Sequence, residues 1–148
     1  MSDSKDLLRA PFELAYNYKR SNGPVMSKFF DALGEQTILG TKSSAGKVFS
    51  PAAEFDPETH ESLKEMVEVG PGGSVESYSW IEAPQHHHLI KEPFAFALIK
   101  LDGADSSMLH MIADCNEADL SIGTRVTAAW SETSEKRITD IKFFTLEK

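Results

Sequence analysis

Phe94-Ala-Phe-Ala-Leu-Ile-Lys-Leu101, closed by Asp102-Gly103, is the stretch that decides the fold class. Its apolar residues fall on both alternating sets, the pattern of a central strand covered on two faces, and Asp-Gly is a strong turn signal. Working outward, Ser74 to Ile81 is rich in β-formers (Val75, Tyr78, Trp80, Ile81), and Glu82 to Pro93 reads as a loop. Downstream, Met108 to Ile112 is a further strand. Leu120-Ser-Ile-Gly123 turns into Val126, Ala128 and Trp130, and Ile138 to Leu146 closes the sheet. The apolar phase slips by one between Ile138 and Ile141–Phe143, which predicts a bulge there. Roughly five strands in about 75 residues, with one long loop, fit a small closed barrel of the OB type.

Ahead of the barrel, Ile38 to Thr59 has the turn–strand–turn frame of a zinc ribbon without its cysteines. Gly46 closes one turn, Val48-Phe49 follow, then Pro51 and Asp56-Pro57. A ribbon presents two thiolates from each turn. Here the four ligand places hold Lys42, Ala45, Asp56 and Thr59, and of these only Asp56 has a metal-binding side chain. No structural zinc and no cofactor are expected. Phe49, Pro51 and Phe55 are expected to pack the lobe in place of a metal. His60 to Val69 reads as a strand leading into the main sheet, and Gly70-Pro-Gly-Gly73 as a tight turn.

Nearer the N-terminus, Phe12, Leu14, Tyr16 and Tyr18 alternate with Glu13, Ala15, Asn17 and Lys19, the pattern of an extended arm with one apolar face. Ser21-Asn-Gly-Pro24 starts a helix, whose stripe is Met26, Phe29, Phe30 and Leu33 and whose end is Gly34. Arm and helix are expected to pack on their own domain, or in part to dock on another protein. The resulting organisation is arm and helix over 1–37, a degenerate ribbon-like lobe over 38–69 and an OB-type barrel over 70–148, mainly β throughout.

The chain has 148 residues, 15 basic and 23 acidic, for a formal net charge of −8. That balance speaks against a surface that grips phosphate backbones. Its single cysteine, Cys115, cannot form an internal disulfide, and the start Met-Ser-Asp-Ser-Lys-Asp has no apolar leader core. A cytoplasmic protein with no membrane span is the expectation.

Three clusters invite chemistry. His86-His87-His88 lies between two prolines. In an extended segment only His86 and His88 share a side, and no supporting ligand stands at a metal spacing. A solvated loop is the first reading, a ligand- or partner-lining loop the second and a metal site the third. Cys115 with His110 as base lacks the Gly-rich elbow or oxyanion motif of a nucleophile. Trp80 and Trp130 read as core or barrel-rim residues rather than stacking platforms for bases.

Several pieces in order resemble the acyl-CoA-associated OB-fold family known as domain of unknown function 35. They are Tyr16-Asn-Tyr18, the helix Met26 to Leu33, Ile38-Leu-Gly40, Gly46-Lys-Val-Phe-Ser-Pro51, Asp56-Pro57, Gly73 to Tyr78, Pro93 to Gly103 and Leu120 to Val126. Members pair a rubredoxin-like zinc ribbon with an OB barrel, and this chain departs from them in the ribbon ligands. The resemblance implies a non-catalytic accessory subunit in a hetero-oligomer with a thiolase-fold partner: a thiolase, acyltransferase or retro-aldolase acting on acyl-CoA in lipid or steroid metabolism. It further implies a shared acyl-CoA site. Lys42, Lys47, Phe49, Pro51, His86 and His88 are candidates for its rim, with the two lysines toward the CoA phosphates. Tyr16, Tyr18, Phe29 and Phe30 are candidates for partner docking. The alternative is an independent OB-fold binder of single-stranded nucleic acid or a small ligand.

Overall fold

In a computed structural model of the chain, residues 9–148 are described; the polar start of the chain, read above for a leader, lies outside them. Helix α1 runs from Gly23 to Leu33. Pro24 occupies its first turn, where a missing N–H costs no helical bond. Phe29 and Leu33 from its stripe are buried. Gly34 ends the helix in a way the sequence did not suggest. It keeps right-handed dihedrals (φ −61°), and Gln36 takes the left-handed turn instead (φ 58°). Gly34 is small because a Cβ there would lie 2.7 Å from Ser134 Oγ on a loop of the barrel.

Strands β1 (Ile38–Lys42), β2 (Val48–Phe49) and β3 (Glu65–Val69) form an antiparallel sheet in the order β2-β1-β3. Thus β3, which leads through Gly70-Pro71 into the barrel as expected, is itself paired residue for residue with β1, from Ile38↔Val69 to Lys42↔Glu65. The packing residues also differ from expectation. Val48, Ala52, Leu63 and Ile38 are buried, while Pro51 is exposed, Phe55 is 60% exposed and Phe49 is half-buried. Phe55 sits on an isolated bridge to Ser62 and points outward, because the lobe is too thin to enclose both faces of that bridge.

The remaining strands, β4 (Gly72–Ile81), β5 (Phe94–Leu101), β6 (Ser107–Ile112), β7 (Arg125–Trp130) and β8 (Ile141–Leu146), close into a barrel in the order β4-β5-β6-β8-β7. This is the OB-type barrel predicted from the sequence. Gly70 turns the chain (φ +66°), but Gly72 and Gly73 already belong to β4. At Gly73 a Cβ would stand 2.6 Å from the Lys100 carbonyl oxygen, so only glycine lets the two backbones approach. Val75, Ile99, Met108, Ile112, Val126, Ile141 and Phe144 fill the interior, the core continues through Leu101 and Val69 into Phe29, Leu33 and Ile38, and Phe94 is buried in a separate cluster with Ala113 and Phe143.

Two details correct the strand readings. Residues Ile138–Asp140 are a single 3-10 turn rather than the start of the strand. The register break comes later, where Ala129 faces Phe143 and Trp130 faces Ile141. Likewise the second face of β5 is covered at Phe94 alone: Phe96 and Leu98 are 36% and 41% exposed. In a closed barrel the outward phase meets solvent unless another layer covers it.

A charged clamp ties the start of β7 to the turn after β5 and to the end of β8. Arg125 donates to both carboxylate oxygens of Asp102 (2.7 and 2.6 Å) and from Nε to Glu147 (2.8 Å). These bonds keep the Asp102 carboxyl below, and the Arg125 guanidinium above, their ordinary values. Gly72 leaves the room, since a Cβ there would lie about 3 Å from all three side chains. No helix among the described residues is long and apolar enough to cross a membrane.

Candidate functional site

The ribbon end is built from two turns that side chains hold together. In the first turn Ser43 N–H donates to the Lys47 carbonyl, and Gly46 supplies the left-handed residue (φ +84°). In the second, the buried Asp56 carboxylate accepts from the N–H groups of Glu58 (2.7 Å) and Thr59 (3.0 Å). The Thr59 and Glu58 N–H groups draw the Asp56 carboxyl below its ordinary value against the opposing effect of desolvation. Across the gap, Glu61 accepts from Ser44 N–H (2.8 Å) and Ser44 Oγ, and Lys47 pairs with Glu58 (2.7 Å).

These donors do not suit the zinc of a ribbon. The Asp56 oxygen is engaged by backbone, Lys42 faces Glu65 (3.8 Å) and Ala45 offers nothing. Among the described residues no group of three or more His, Cys, Asp or Glu is placed to share a metal. Carboxylate–hydroxyl and carboxylate–ammonium links span the turns where thiolates and zinc would.

The lobe is fastened to the barrel at the β5–β6 turn. Asp105 N–H donates to the Val48 carbonyl (2.8 Å), while Val48 N–H donates to Asp105 Oδ2 (2.8 Å). Ser106 Oγ accepts from Ser50 N–H (2.8 Å). Lys42, Lys47, Phe49 and Pro51 therefore belong to one end of the molecule.

His86 and His88 lie at the other. His88 folds back so that its ring meets Phe94 and Phe96 edge-on (5.4 and 6.0 Å between centroids), and its Nδ1 accepts Gln85 N–H (3.0 Å). Desolvation, then the neighbouring His87, Lys91 and His86, hold the His88 imidazole below its ordinary value. Lys91 ties the turn by donating to the carbonyls of His86 (2.9 Å) and His88 (2.6 Å). The two groups of candidate rim residues are thus separated by the length of β5, about 23 Å at the rise of an extended strand. They cannot line one small pocket together.

Two clefts flank the histidine loop. One, of about 490 Å³, is lined by Trp80, Glu82, Glu92, Asp114, Cys115 and Glu117. Burial, with Asp119 and Asp114 beside it, pushes the Cys115 thiol up, away from the thiolate a nucleophile needs. The other, of about 270 Å³, is an apolar groove between β6 and β8, lined by Leu89, Phe96, Leu109, Met111, Ile138 and Ile141 around His110. His110 is buried against Phe144, its Nε2 3.5 Å from the Ile138 carbonyl, and burial lowers its basicity. No single residue type announces this groove in the sequence. Its signal is the apolar outward phase of β5, read above as a second buried face, together with that of β6.

Of the docking candidates, Tyr16 and Tyr18 stand free: with Phe12 and Leu14 they are 69–85% exposed, so the arm does not pack on its own domain. Phe30 is half-buried. Phe29 is a core residue at 1% exposure, because its face of α1 closes the lobe, and it has no surface to offer.

Residues 66–131, from β3 to the end of β7, match the family described as the ChsH2 C-terminal OB-fold domain. Over that segment the chain is similar to this family, and its barrel has the OB fold. The likeness to solved structures extends over more of the chain than the matched segment. A protein of unknown function from the DUF35 family of Sulfolobus solfataricus is similar over 84% of this chain and 87% of its own, with 20% identity and a TM-score of 0.64. The Ltp2-ChsH2(DUF35) aldolase contains a chain similar over 86% of this one and 98% of its own, at 17% identity and a TM-score of 0.63. At these identities the likeness establishes the shared fold. No curated protein matches the sequence.

Proposed function

We propose that this OB-fold chain is a non-catalytic accessory subunit of a larger enzyme of acyl-CoA metabolism, with a thiolase-fold partner of the thiolase, acyltransferase or retro-aldolase kind. The observation that carries the reading is the fold-level correspondence of 86% of this chain with a chain of the Ltp2-ChsH2(DUF35) aldolase. The side-chain inventory agrees with it. Cys115 is held as a thiol, His110 is buried as a neutral ring and the charged clamp ties strand ends. The net charge of −8 gives no support to a nucleic-acid groove.

In this reading the partner supplies the reacting groups, and this subunit supplies surface. The exposed Tyr16 and Tyr18, with Phe30, form the docking edge. The ribbon end, with Lys42, Lys47, Phe49 and Pro51, forms part of the acyl-CoA rim. The lysines would hold CoA phosphates by exchanging Glu65 and Glu58 for them. Affinity capture with the full chain from its native host, followed by mass spectrometry, tests the assembly. Recovery of a thiolase-fold protein is expected, with acyl-CoA turnover by the complex and none by this chain alone. Turnover by the isolated chain, or capture without any such protein, overturns the reading. Reversing the charge of Lys42 and Lys47 tests the rim, which fails if the complex binds CoA esters unchanged.

A further inference from the structure

The loop between β4 and β5, Glu82 to Pro93, is anchored at one place and only rests on the barrel at another. Ile90 packs into the small cluster of Phe94, Ala113 and Phe143. The tip ahead of it, Gln85 to Leu89, lies outside any strand. It touches β5 through the His88 ring, edge-on to Phe94 and Phe96, while Leu89 reaches the wall of the apolar groove. His87 and His86 follow His88 in a row, with 4.5 and 5.3 Å between successive ring centroids.

Two reciprocal bonds close the tip. His88 N–H donates to the Gln85 carbonyl (3.0 Å), and Gln85 N–H donates to His88 Nδ1 (3.0 Å). The second bond fixes the state of the ring. A ring nitrogen that accepts a backbone N–H carries no proton, so the closed tip requires a neutral imidazole with its hydrogen on Nε2. Protonation sets a hydrogen on Nδ1 against the hydrogen on Gln85 N, and the bond turns into a repulsion.

The surrounding charges act in the same direction. On the loop stand His86, His87 and Lys91, whose ammonium donates to the carbonyls of His86 and His88. On β5 the ring meets only Phe94 and Phe96. On β6 the one titratable group is His110, buried against Phe144. On β8, Lys142 lies over Phe143, a neighbour of Phe94, and adds a further cation. The strands β4 and β7 reach that cluster only through Ile81 and Ala129. The loop's own acids, Glu82 and Glu92, line the cleft on its other flank. Among the described residues no carboxylate forms an ion pair with any of the three histidines.

We infer that residues 85–89 form an acid-opened flap: a proton on His88 breaks the bond to Gln85, and the tip lifts from Phe94 and Phe96. Ile90 stays in its cluster, so the motion is confined to the tip. Lifting it uncovers the outer aromatic face of β5 and withdraws Leu89 from the groove wall. Desolvation, then the neighbouring cations, lower the His88 pKa from 6.5, so the closed tip is complete above pH 6.5 and gives way as pH falls through the lowered value. The apolar surface beside the groove is therefore covered near neutrality and offered in mild acid. This device belongs to the chain alone and does not rest on the accessory-subunit reading.

An NMR titration of the purified full chain, from about pH 8 down to about pH 5, tests it. The signals to follow are the His88 ring, the Gln85 amide and the cross-peak between the His88 and Phe94 rings. All three should change in one step with its midpoint below 6.5. The ratio of lifted to closed tip should rise by up to about tenfold per pH unit across that step. His88→Phe keeps a ring against β5 but cannot titrate, and in it the Phe94 and Leu89 signals should hold their positions throughout. A His88 ring that titrates while the Gln85 amide and the Phe94 contact stay unchanged overturns the inference. So does a His88 midpoint at or above 6.5, or an acid step at Phe94 and Leu89 that survives in His88→Phe.

Discussion

In the barrel, Phe94, Ile99, Met108, Ile112, Ile141 and Phe144 lose almost all contact with water. In the ribbon lobe only Ile38, Val48, Ala52, Leu63 and Val69 are so enclosed. What the lobe lacks in apolar volume it makes up with polar links: Asp56 to two backbone N–H groups, Glu61 to Ser44, Lys47 to Glu58 and Asp105 to Val48. A small lobe cannot bury enough surface to fix its turns, so specific bonds must set their shape. The barrel's shape therefore rests mainly on burial, whereas the shape of the lobe's turns rests on single polar side chains.

The largest expected effect tests whether the two regions are truly joined. Phe144→Ala removes a fully buried ring and should cost about 3–5 kcal/mol, measured by urea unfolding followed through Trp80 and Trp130. Because the core runs on into α1 and β1, lobe and barrel should be lost in one transition. Lobe amides that stay protected after the barrel melts would break that picture.

A smaller loss is expected at the barrel's own polar exception. Asp140 is buried and accepts from Glu135 N–H (2.9 Å), Lys136 N–H (2.9 Å) and Ser134 Oγ (3.2 Å). Burial opposes its ionisation, but those donors prevail and keep its carboxyl below the ordinary value. Asp140→Ala should cost about 1.5–3 kcal/mol in thermal melts by stranding the donors. Asp140→Asn should cost less, and equal losses would argue against the carboxylate's role.

Acid separates the two regions. His110 has its pKa lowered from 6.5, so the neutral ring's contribution is complete above pH 6.5 and declines as pH falls through the lowered value. Asp56 is likewise lowered, from 3.8, and its contribution persists until the pH drops below about 4. Exchange rates should therefore rise in the barrel near His110 first, and in the lobe only in stronger acid. His110→Phe should remove the earlier step; a step that survives in that variant would reassign it.

Least costly is Glu61→Ala. It should cost about 1 kcal/mol or less and speed exchange at Ser44 without touching the barrel. Chelator should leave that exchange unaltered, and stoichiometric zinc in the purified protein would reverse the reading of the lobe.

The barrel was legible because strand period and turn residues are local properties. Ser74–Ile81, Phe94–Leu101 and Met108–Ile112 each carry their own signal, and each is a strand. The turns around the small sheet were legible for the same reason, through Gly46 and Asp56-Pro57. What sequence could not supply is pairing between distant positions. Arg125 meets Asp102 and Glu147, and Glu61 meets Ser44, only after the chain has folded. Nor can an apolar outward phase on β5 and β6 be told from a buried one by periodicity, since both read as continuous hydrophobic runs. The candidate rim failed similarly: Phe49 and His88 looked like neighbours of one site, and β5 holds them apart.

The links that shape the ribbon lobe contain no sulfur. A thiolate cluster is dismantled by peroxide and depends on the supply of metal. Turns fastened by Asp56, Glu61 and the Lys47–Glu58 pair are indifferent to both. The surface this lobe presents is therefore available whatever the redox state or metal content around it.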